Sequence, residues 1–456
     1  MDRRELLKTT GLGALATMAA PVWARAGQSA AGEQPNLILI LADDYGIGGV
    51  GCYGSDKYKT PNLDALAKGG LRFEFCYAMP LCAPTRAALM TGRYGFRTGV
   101  VDNGTGGRAT ADKETTIAKV LKQAGYATAV AGKWRQLQYM TTKEEAAAWG
   151  FDEYLAWGVA GKGERYWDPT YDKNGAMLAD VKGKFGPDVL HEFAVDFIQR
   201  HRDKPFFLYY PMVSIHGQLF RTPDSQEGGD LYADNIAYMD KLVGKLVAEL
   251  DRLKLREKTL IVFVGDNGCV GSRTLGGRAI DGAKGSMKEG GSRVPLIVNW
   301  KGTAPEGRVL ADLTDVTDFF PTLAELAGAK PPEGVTIDGH SFAAQIRGQA
   351  GKPREWLYVQ LGDKRYVRDA RWKLNNDGEL FDMKEAPFRE IPVPADSGNA
   401  EAQPARKRLQ AALDNLKAQD QWAGQASRKQ QKQKKDKAQK RAEKKEARKA
   451  AATQQK

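Results

Sequence analysis

The stretch "NLILILADD", residues 36–44, is a continuous apolar run that stops at two aspartates. The run lacks the alternation of a strand with one solvated face, and it predicts a strand buried on both faces, as in a parallel sheet. The pattern recurs in "YATAVAGKW", "PFFLYYPMVSIH" and "TLIVFVGDNG", and helical patterns lie between these runs. Strands that alternate with helices predict an α/β fold, with a doubly wound, mostly parallel sheet flanked by helices.

The residues that end these apolar runs predict a shared site, because ligands collect outside the carboxyl ends of the strands in such sheets. These residues are Asp43, Asp44, Lys133, His216, Asp266 and Asn267. The aspartates and the asparagine offer oxygen ligands, which suit a hard divalent cation, calcium or magnesium, better than zinc. The polar residues at the end of any one run are compatible with an ordinary turn, but polar residues at the ends of all four runs favour a binding site.

A second informative stretch is "LCAPTRAALMTGR", residues 81–93. Pro84 suits the first turn of a helix and Gly92 suits its end. Cys82 therefore lies at the positive N-terminal pole of a predicted helix, where an anion binds readily. Arg86 adds a fixed positive charge that could hold an oxyanion.

This cysteine segment resembles the C-x-P-x-R…TG signature of the type I, formylglycine-dependent sulfatases of the alkaline phosphatase superfamily. The resemblance extends from about 35 to 382 and includes, in order, "PNLILILADD", "GYATAVAGKW", "VGDNG" and "KGSMKEGGSRVP". In that family a formylglycine-generating enzyme oxidises the cysteine to formylglycine after translation. The resemblance implies hydrolysis of sulfate esters, in a sulfated carbohydrate or an aryl sulfate, with Ca²⁺ or else Mg²⁺ as cofactor.

The resemblance also implies roles for individual residues. The modified Cys82 would be the nucleophile, and Arg86 would stabilise it. Lys133 and Lys284 would contact the sulfate, and His216 would donate a proton to the leaving alcohol or hydrogen-bond to the sulfate. The implied metal ligands are Asp43, Asp44, Asp266, Asn267 and an oxygen of the modified Cys82.

The chain departs from the family pattern at Arg135, in "GKWRQL", where the family usually has a histidine. An arginine stays protonated and cannot act as a general base. Three alternatives stay open. Arg135 binds the sulfate electrostatically while another group removes the proton, the enzyme has shifted to a related phosphate or phosphonate ester, or the chain binds sulfated glycans without turnover.

The two ends of the chain predict an exported protein with a basic extension. Residues 1–26 contain Arg3-Arg4, a short apolar run and Ala24-Arg25-Ala26, which indicate a twin-arginine signal and a periplasmic or secreted protein. No later apolar run is long enough to span a bilayer. The net charge of +12 comes mainly from residues 427–456, with 13 Lys/Arg against 3 Asp/Glu. This tail is either a solvated extension or a tether for an anionic polysaccharide, and export argues against nucleic acid as a partner.

The predicted organisation after the signal is a linker (27–34), a catalytic domain (35–349), a small C-terminal subdomain (350–391) and a polar, Lys-rich tail (392–456), disordered or helical. Short alternating runs with turn signals predict a small antiparallel sheet in the subdomain. Arg165, Tyr166 and Trp167 either line a sugar pocket or pin a long loop to the protein. A bridge between Cys52 and Cys76 is left open, and we expect structural roles for His191, His201 and His340.

Overall fold

The computed structural model describes residues 34–134, 137–158, 163–422 and 439. Four parts of the sequence analysis lie outside these residues: the predicted signal peptide, the linker except for Gln34, Arg135 and most of the basic region at 427–456. The strands of the described residues are, in chain order, β1 (Asn36–Ala42), β2 (Leu71–Tyr77), β3 (Ala127–Lys133), β4 (Glu153–Trp157), β5 (Tyr171–Lys173), β6 (Ala176–Met177), β7 (Phe206–Pro211), β8 (Thr259–Gly265), β9 (Thr274–Leu275), β10 (Arg278–Ala279), β11 (Arg293–Asn299), β12 (Arg308–Asp315), β13 (Leu357–Leu361), β14 (Lys364–Arg368), β15 (Trp372–Asn375), β16 (Leu380–Asp382) and β17 (Ile391–Val393).

Within the described part of the chain, ten strands form one mixed, mostly parallel sheet in the order β12-β2-β11-β8-β1-β7-β3-β4-β5-β6. The five neighbouring strands from β8 to β4 run parallel to one another, and β11 is antiparallel to β8 and to β2. Every residue of β1, β7 and β8 is buried, as the continuous apolar runs predict. The predicted fold class is confirmed.

The helices of the described residues are α1 (Pro61–Lys68), α2 (Cys82–Thr91), α3 (Gly95–Thr98), α4 (Ile117–Gln123), α5 (Lys143–Ala148), α6 (Gly186–Arg200), α7 (Leu231–Arg252), α8 (Glu289–Ser292), α9 (Phe319–Leu326), α10 (Ala343–Ile346) and α11 (Ala402–Ala418). Alternate residues of β1 point to opposite sheet faces. Leu37, Leu39 and Leu41 pack in the core that contains α2, α4 and α9. Ile38 and Ile40 pack in the core that contains α1, α6 and α7. Two cores therefore cover the two faces of the sheet.

The small sheet predicted near the C-terminus is present and runs β13-β14-β15-β16-β17, antiparallel throughout. Its apolar side chains, among them Leu357, Val367 and Leu374, belong to the same core as α2. The segment predicted as a tail, 392–456, contains α11 and all but the first residue of β17. Helix α11 packs on this core with Leu409 and Leu413. The apolar residues of α11 recur on one face of the helix. The overall composition of the segment is polar, so composition alone does not reveal this apolar face.

No helix among the described residues is long and apolar enough to cross a membrane. All four cysteines of the sequence lie in the described residues and are free thiols, so Cys52 and Cys76 are not bridged.

Truncating Leu409 tests whether α11 is part of the folded core. Leu409 is 0% exposed, and Leu409→Ala should lower the free energy of unfolding by about 2–5 kcal/mol because it opens a cavity. Urea unfolding followed by far-UV circular dichroism measures this. Lys407→Ala, at an exposed position of the same helix, is the matched control and should leave the unfolding midpoint unchanged. Equal midpoints for the two variants would contradict the packing of α11.

Candidate active site

Helix α2 presents Cys82 at the carboxyl edge of the large sheet. Cys82 is the first residue of the helix, 5% exposed, and Gly92 closes the helix in the left-handed conformation with φ 66°. The N–H of Ala83 donates to Oδ1 of Asn103 at 3.0 Å. One of the unsatisfied N–H groups of the first turn is thus capped by a residue from a distant loop. No local sequence signal identifies Asn103.

The acidic side chains of the site come from two neighbouring strands. Asp43 and Asp44 follow β1, and Asp266 and Asn267 follow β8, which pairs in parallel with β1 up to Ala42 and Gly265. The N–H of Asp44 donates to Oδ1 of Asp266 at 2.9 Å, and Nδ2 of Asn267 donates to Oδ1 of Asp44 at 3.0 Å. All four residues are at most 1% exposed. Parallel pairing therefore concentrates three carboxylates in the protein interior.

Three cationic side chains surround these carboxylates. Arg86 donates from Nε to Oδ2 of Asp266 at 2.9 Å, and its Nη2 lies 3.5 Å from Oδ1 of Asp43. Lys133 donates from Nζ to Oδ2 of Asp43 at 2.6 Å. Lys284 contacts the carboxylate of Asp44, and its Nζ lies 3.6 Å from Sγ of Cys82. The thiol of Cys82 therefore lies beside a positive charge and in front of the carboxylates.

The buried charges shift the pKa values of the acidic groups in opposite directions. Burial opposes ionisation of Asp43, but the charges of Lys133 and Arg86 outweigh it and hold the pKa of Asp43 well below its ordinary value. Burial, together with the negative charge of Asp43, raises the pKa of Asp266 to about 7. Burial also raises the pKa of the Cys82 thiol to about 11, against the opposing charge of Lys133. The site therefore combines an ionised Asp43 with a carboxyl that resists ionisation, Asp266, and with a neutral thiol.

The donor atoms fit a hard divalent cation. Ligand atoms of Asp43, Asp44, Cys82 and His216 all lie within 4.8 Å of one another. Oδ1 of Asp43 and Oδ1 of Asn267 are buried and have no hydrogen-bond partner among the described residues. A bound cation would satisfy such oxygens, and carboxylate and amide oxygens are the ligands that Ca²⁺ and Mg²⁺ prefer. Both oxygens of Asp266 already accept hydrogen bonds, from Asp44 and Arg86.

His216 follows β7 and faces the same cluster. Burial lowers its pKa to about 4, against the opposing effect of Asp43, so the ring is neutral near pH 7. The guanidinium of Arg165 donates to the His216 carbonyl at 2.8 Å, and the hydroxyl of Tyr166 donates to it at 3.1 Å. Tyr166 is fully buried and stacks on Phe185. Arg165 and Tyr166 therefore pin the His216 loop, whereas Trp167 is 36% exposed.

The structure brings all the predicted site residues together except Arg135, which lies outside the described residues. The remaining histidines lie elsewhere. His201 pairs with Glu153 at 3.3 Å, His191 is buried in α6, and the N–H of His340 donates to Asp318 at 2.6 Å.

The site lies at the carboxyl edge of a mostly parallel sheet, where α/β folds bind their ligands, and the comparisons below place the chain in the alkaline phosphatase superfamily. A family model described as Sulfatase matches residues 35–329. The chain belongs to the sulfatase family, and as a member it is a sulfuric ester hydrolase.

Individual relatives agree with this assignment. The chain is 34% identical to human arylsulfatase A over 369 residues, 72% of this chain and 71% of that protein. It is 33% identical to N-acetylgalactosamine-6-sulfatase of Canis lupus familiaris over 392 residues, 74% and 71% of the two chains. The solved structure of Ps i-CgsB in complex with k-i-k-neocarrahexaose is 28% identical, with a TM-score of 0.73 over 86% of this chain and 94% of that one.

Removing Arg86 tests how far the buried charges depend on one another. Arg86→Met should lower the free energy of unfolding by about 3–5 kcal/mol without added metal, because it leaves the buried carboxylate of Asp266 without its cationic partner. Urea unfolding measures the loss. The control is Arg200→Met, which breaks a surface pair with Glu153 and should cost less than about 1 kcal/mol. A similar loss in both variants would show that the cluster does not need Arg86.

Proposed function

We propose that the protein hydrolyses sulfate esters of a sulfated carbohydrate or an aryl sulfate, through a formylglycine formed from Cys82 and with the help of a divalent cation. One observation carries the proposal. Cys82 begins a buried helix at the point where three cationic side chains and a set of oxygen ligands converge. The signal pattern at residues 1–26 supports action outside the cytoplasm, in the periplasm or after secretion.

The unmodified thiol is a poor nucleophile in this environment. Thiolates, not thiols, attack electrophiles, and the pKa of Cys82 is raised to about 11 by burial. The negative charges of Asp266 and Asp43 add to this effect. Near pH 7 only a very small fraction of the protein molecules would therefore carry Cys82 as the thiolate that a direct attack by sulfur requires. The proposal therefore assigns the attack to the formylglycine formed from Cys82 and not to the thiol itself.

The residues around Cys82 have different roles in the proposed reaction. When bound, the cation and the hydrated aldehyde supply an activated hydroxyl for attack and a second hydroxyl for release of sulfate. Arg86 holds the carboxylates and the modified side chain. Lys133 and Lys284 offset negative charge on the sulfate oxygens in a site that largely excludes water. His216, neutral near pH 7, can donate one hydrogen bond to the sulfate or to the leaving oxygen.

A saccharide substrate is supported by the relatives. The dog relative is an N-acetylgalactosamine-6-sulfatase, and Ps i-CgsB was solved with a neocarrahexaose. Arg135, in the place of the usual histidine, adds a charge that stays positive at ordinary pH. We propose that it binds the sulfate electrostatically rather than acting as a base.

Mass spectrometry of the tryptic peptide Phe73–Arg86, with protein from its own host, tests the nucleophile. Cys82 should have lost its sulfur and gained an aldehyde oxygen, while Cys76 in the same peptide remains a thiol. The same preparation should release sulfate from 4-nitrophenyl sulfate or a sulfated oligosaccharide, and Cys82→Ala should abolish release. Faster turnover of the matched phosphate ester would favour a phosphohydrolase. Binding of sulfated glycans without turnover by converted protein would favour a non-catalytic binder.

Metal titration tests the oxygen ligands. Ca²⁺ or Mg²⁺ should raise the melting temperature of the chelator-treated protein and restore its activity, because only the folded state assembles the ligands. Asn267→Ala should weaken the shift, since it removes a buried oxygen without a partner. The control Asn375→Ala, at a partly exposed position of the small sheet, should keep the full shift. No thermal shift with either cation would contradict the metal site.

A further inference from the structure

The segment 281–292 carries Lys284 and connects three parts of the molecule. The N–H of Lys284 donates to the carbonyl of Cys269 at 3.0 Å, in the loop that follows Asn267. The N–H of Gly285 donates to the carbonyl of Pro80 at 2.9 Å, in the loop that precedes Cys82. Because the segment is mostly a loop, the place of the Lys284 side chain depends on what holds the segment from outside.

The small C-terminal sheet holds the segment through a buried lysine. Lys373 on β15 is 3% exposed, and its Nζ donates to the carbonyl of Met287 at 2.6 Å. Its charge is balanced by Glu390, whose two carboxylate oxygens lie 2.8 Å from the same Nζ. The Met287 carbonyl is three residues after Lys284, within the same compact turn.

Two further contacts join the small sheet to this segment. Arg368 on β14 pairs with Glu289 at 2.8 Å, and both side chains are 1% exposed. The large sheet also contacts this carboxylate, because the hydroxyl of Tyr77 on β2 donates to it at 2.8 Å. At the other end of the segment, the N–H of Asp281 donates to the carbonyl of Pro387 at 2.9 Å. The small sheet and the loop that joins β16 to β17 therefore contact the segment on both sides of Lys284.

Stability alone does not explain why charged side chains occupy this interface. Taking a lysine and a glutamate out of water is expensive, and an apolar pair of the same size often stabilises a protein at least as well. The charged pair offers something that an apolar pair lacks, a directional hydrogen bond from Nζ to one carbonyl. That bond fixes the position of the Met287 peptide.

We propose that Lys373 is a positioning residue for the active site: by holding the Met287 carbonyl, it fixes the turn that places Nζ of Lys284 beside Cys82. The consequence for catalysis rests on the proposed function, in which Lys284 holds the sulfate. The small sheet is then part of the catalytic apparatus, although none of its side chains needs to touch the substrate.

Hydrogen–deuterium exchange of the purified full-length protein tests the positioning directly. In Lys373→Met, the amides of Lys284 and Gly285 should exchange on the order of tenfold faster, because their hydrogen bonds open more often. Peptides from β1 and β7 should be unchanged. The double variant Lys373→Met/Glu390→Gln leaves no unpaired buried carboxylate and serves if the single variant does not fold. Unchanged protection of these amides in a folded variant would overturn the proposal.

A double-mutant cycle with 4-nitrophenyl sulfate tests the catalytic consequence. Lys373→Met should lower kcat/KM on the order of 10- to 100-fold, but it should cause little further loss in a Lys284→Ala background. A general loss of structure would instead give the same factor in both backgrounds. The control is Arg371→Ala, which removes a half-exposed side chain paired with Asp382 on the same sheet and should keep kcat/KM.

The two proposals fail in different ways. If the wild-type protein releases sulfate from no ester, the proposed function fails, and the exchange experiment alone decides whether Lys373 positions the segment. If the wild-type protein is an active sulfatase and the cycle is additive, Lys373 has no positioning role and the proposed function stands.

Discussion

The site depends on one buried interaction, the contact of Arg86 with the carboxylates of Asp266 and Asp43. Parallel pairing of β1 and β8 brings these carboxylates together in the interior, where unpaired charges are very costly. A cation must therefore reach them, and Arg86 does so from α2. Cys82 is one helical turn before Arg86 and thus lies on the same face of the helix. The requirement for charge pairing therefore also sets the position of Cys82, the proposed precursor of the nucleophile.

The charge balance of this cluster suits its proposed ligands. The carboxylates of Asp43, Asp44 and Asp266 face the cationic groups of Arg86, Lys133 and Lys284, so their formal charges cancel. In the proposed function a divalent cation would bind at the oxygens, and the sulfate ester, which carries the opposite charge, would bind at the amino groups. Each ligand would then compensate part of the charge that the other adds to the cluster. Such complementarity favours binding of both over binding of either alone.

The sequence was informative wherever a residue's position follows from the end of a strand or from a local motif. The continuous apolar runs predicted β1, β3, β7 and β8, and the residues that follow them meet at one edge because parallel strands share an edge. Cys82 and Arg86 were found through a motif that occupies one helix. These features depend on local chain geometry, which the sequence encodes within a few residues.

Features that depend on distant contacts were not predictable in this way. Asn103 caps the first turn of α2 from a loop about twenty residues away, and its Asn-Gly sequence is also typical of an ordinary turn. The sequence left two alternatives for Arg165 and Tyr166, and their contacts with the His216 loop favour pinning. In α11 the buried leucines are separated by many polar and charged residues. The composition of the segment therefore predicted a polar tail, although the helix packs on the core.

The three cationic groups differ in how the fold holds them. Arg86 projects from a helix and Lys133 ends a strand, so hydrogen bonds of regular structure fix both backbones. Lys284 lies in a loop and has no such support from its own element. Its backbone is instead fixed by contacts with other parts of the fold, including the segment's contacts with the small sheet. A site that must hold charged groups to within fractions of an ångström needs this external support where regular structure ends. The second sheet supplies this support, and its apolar residues share one core with α2, the helix that begins at Cys82.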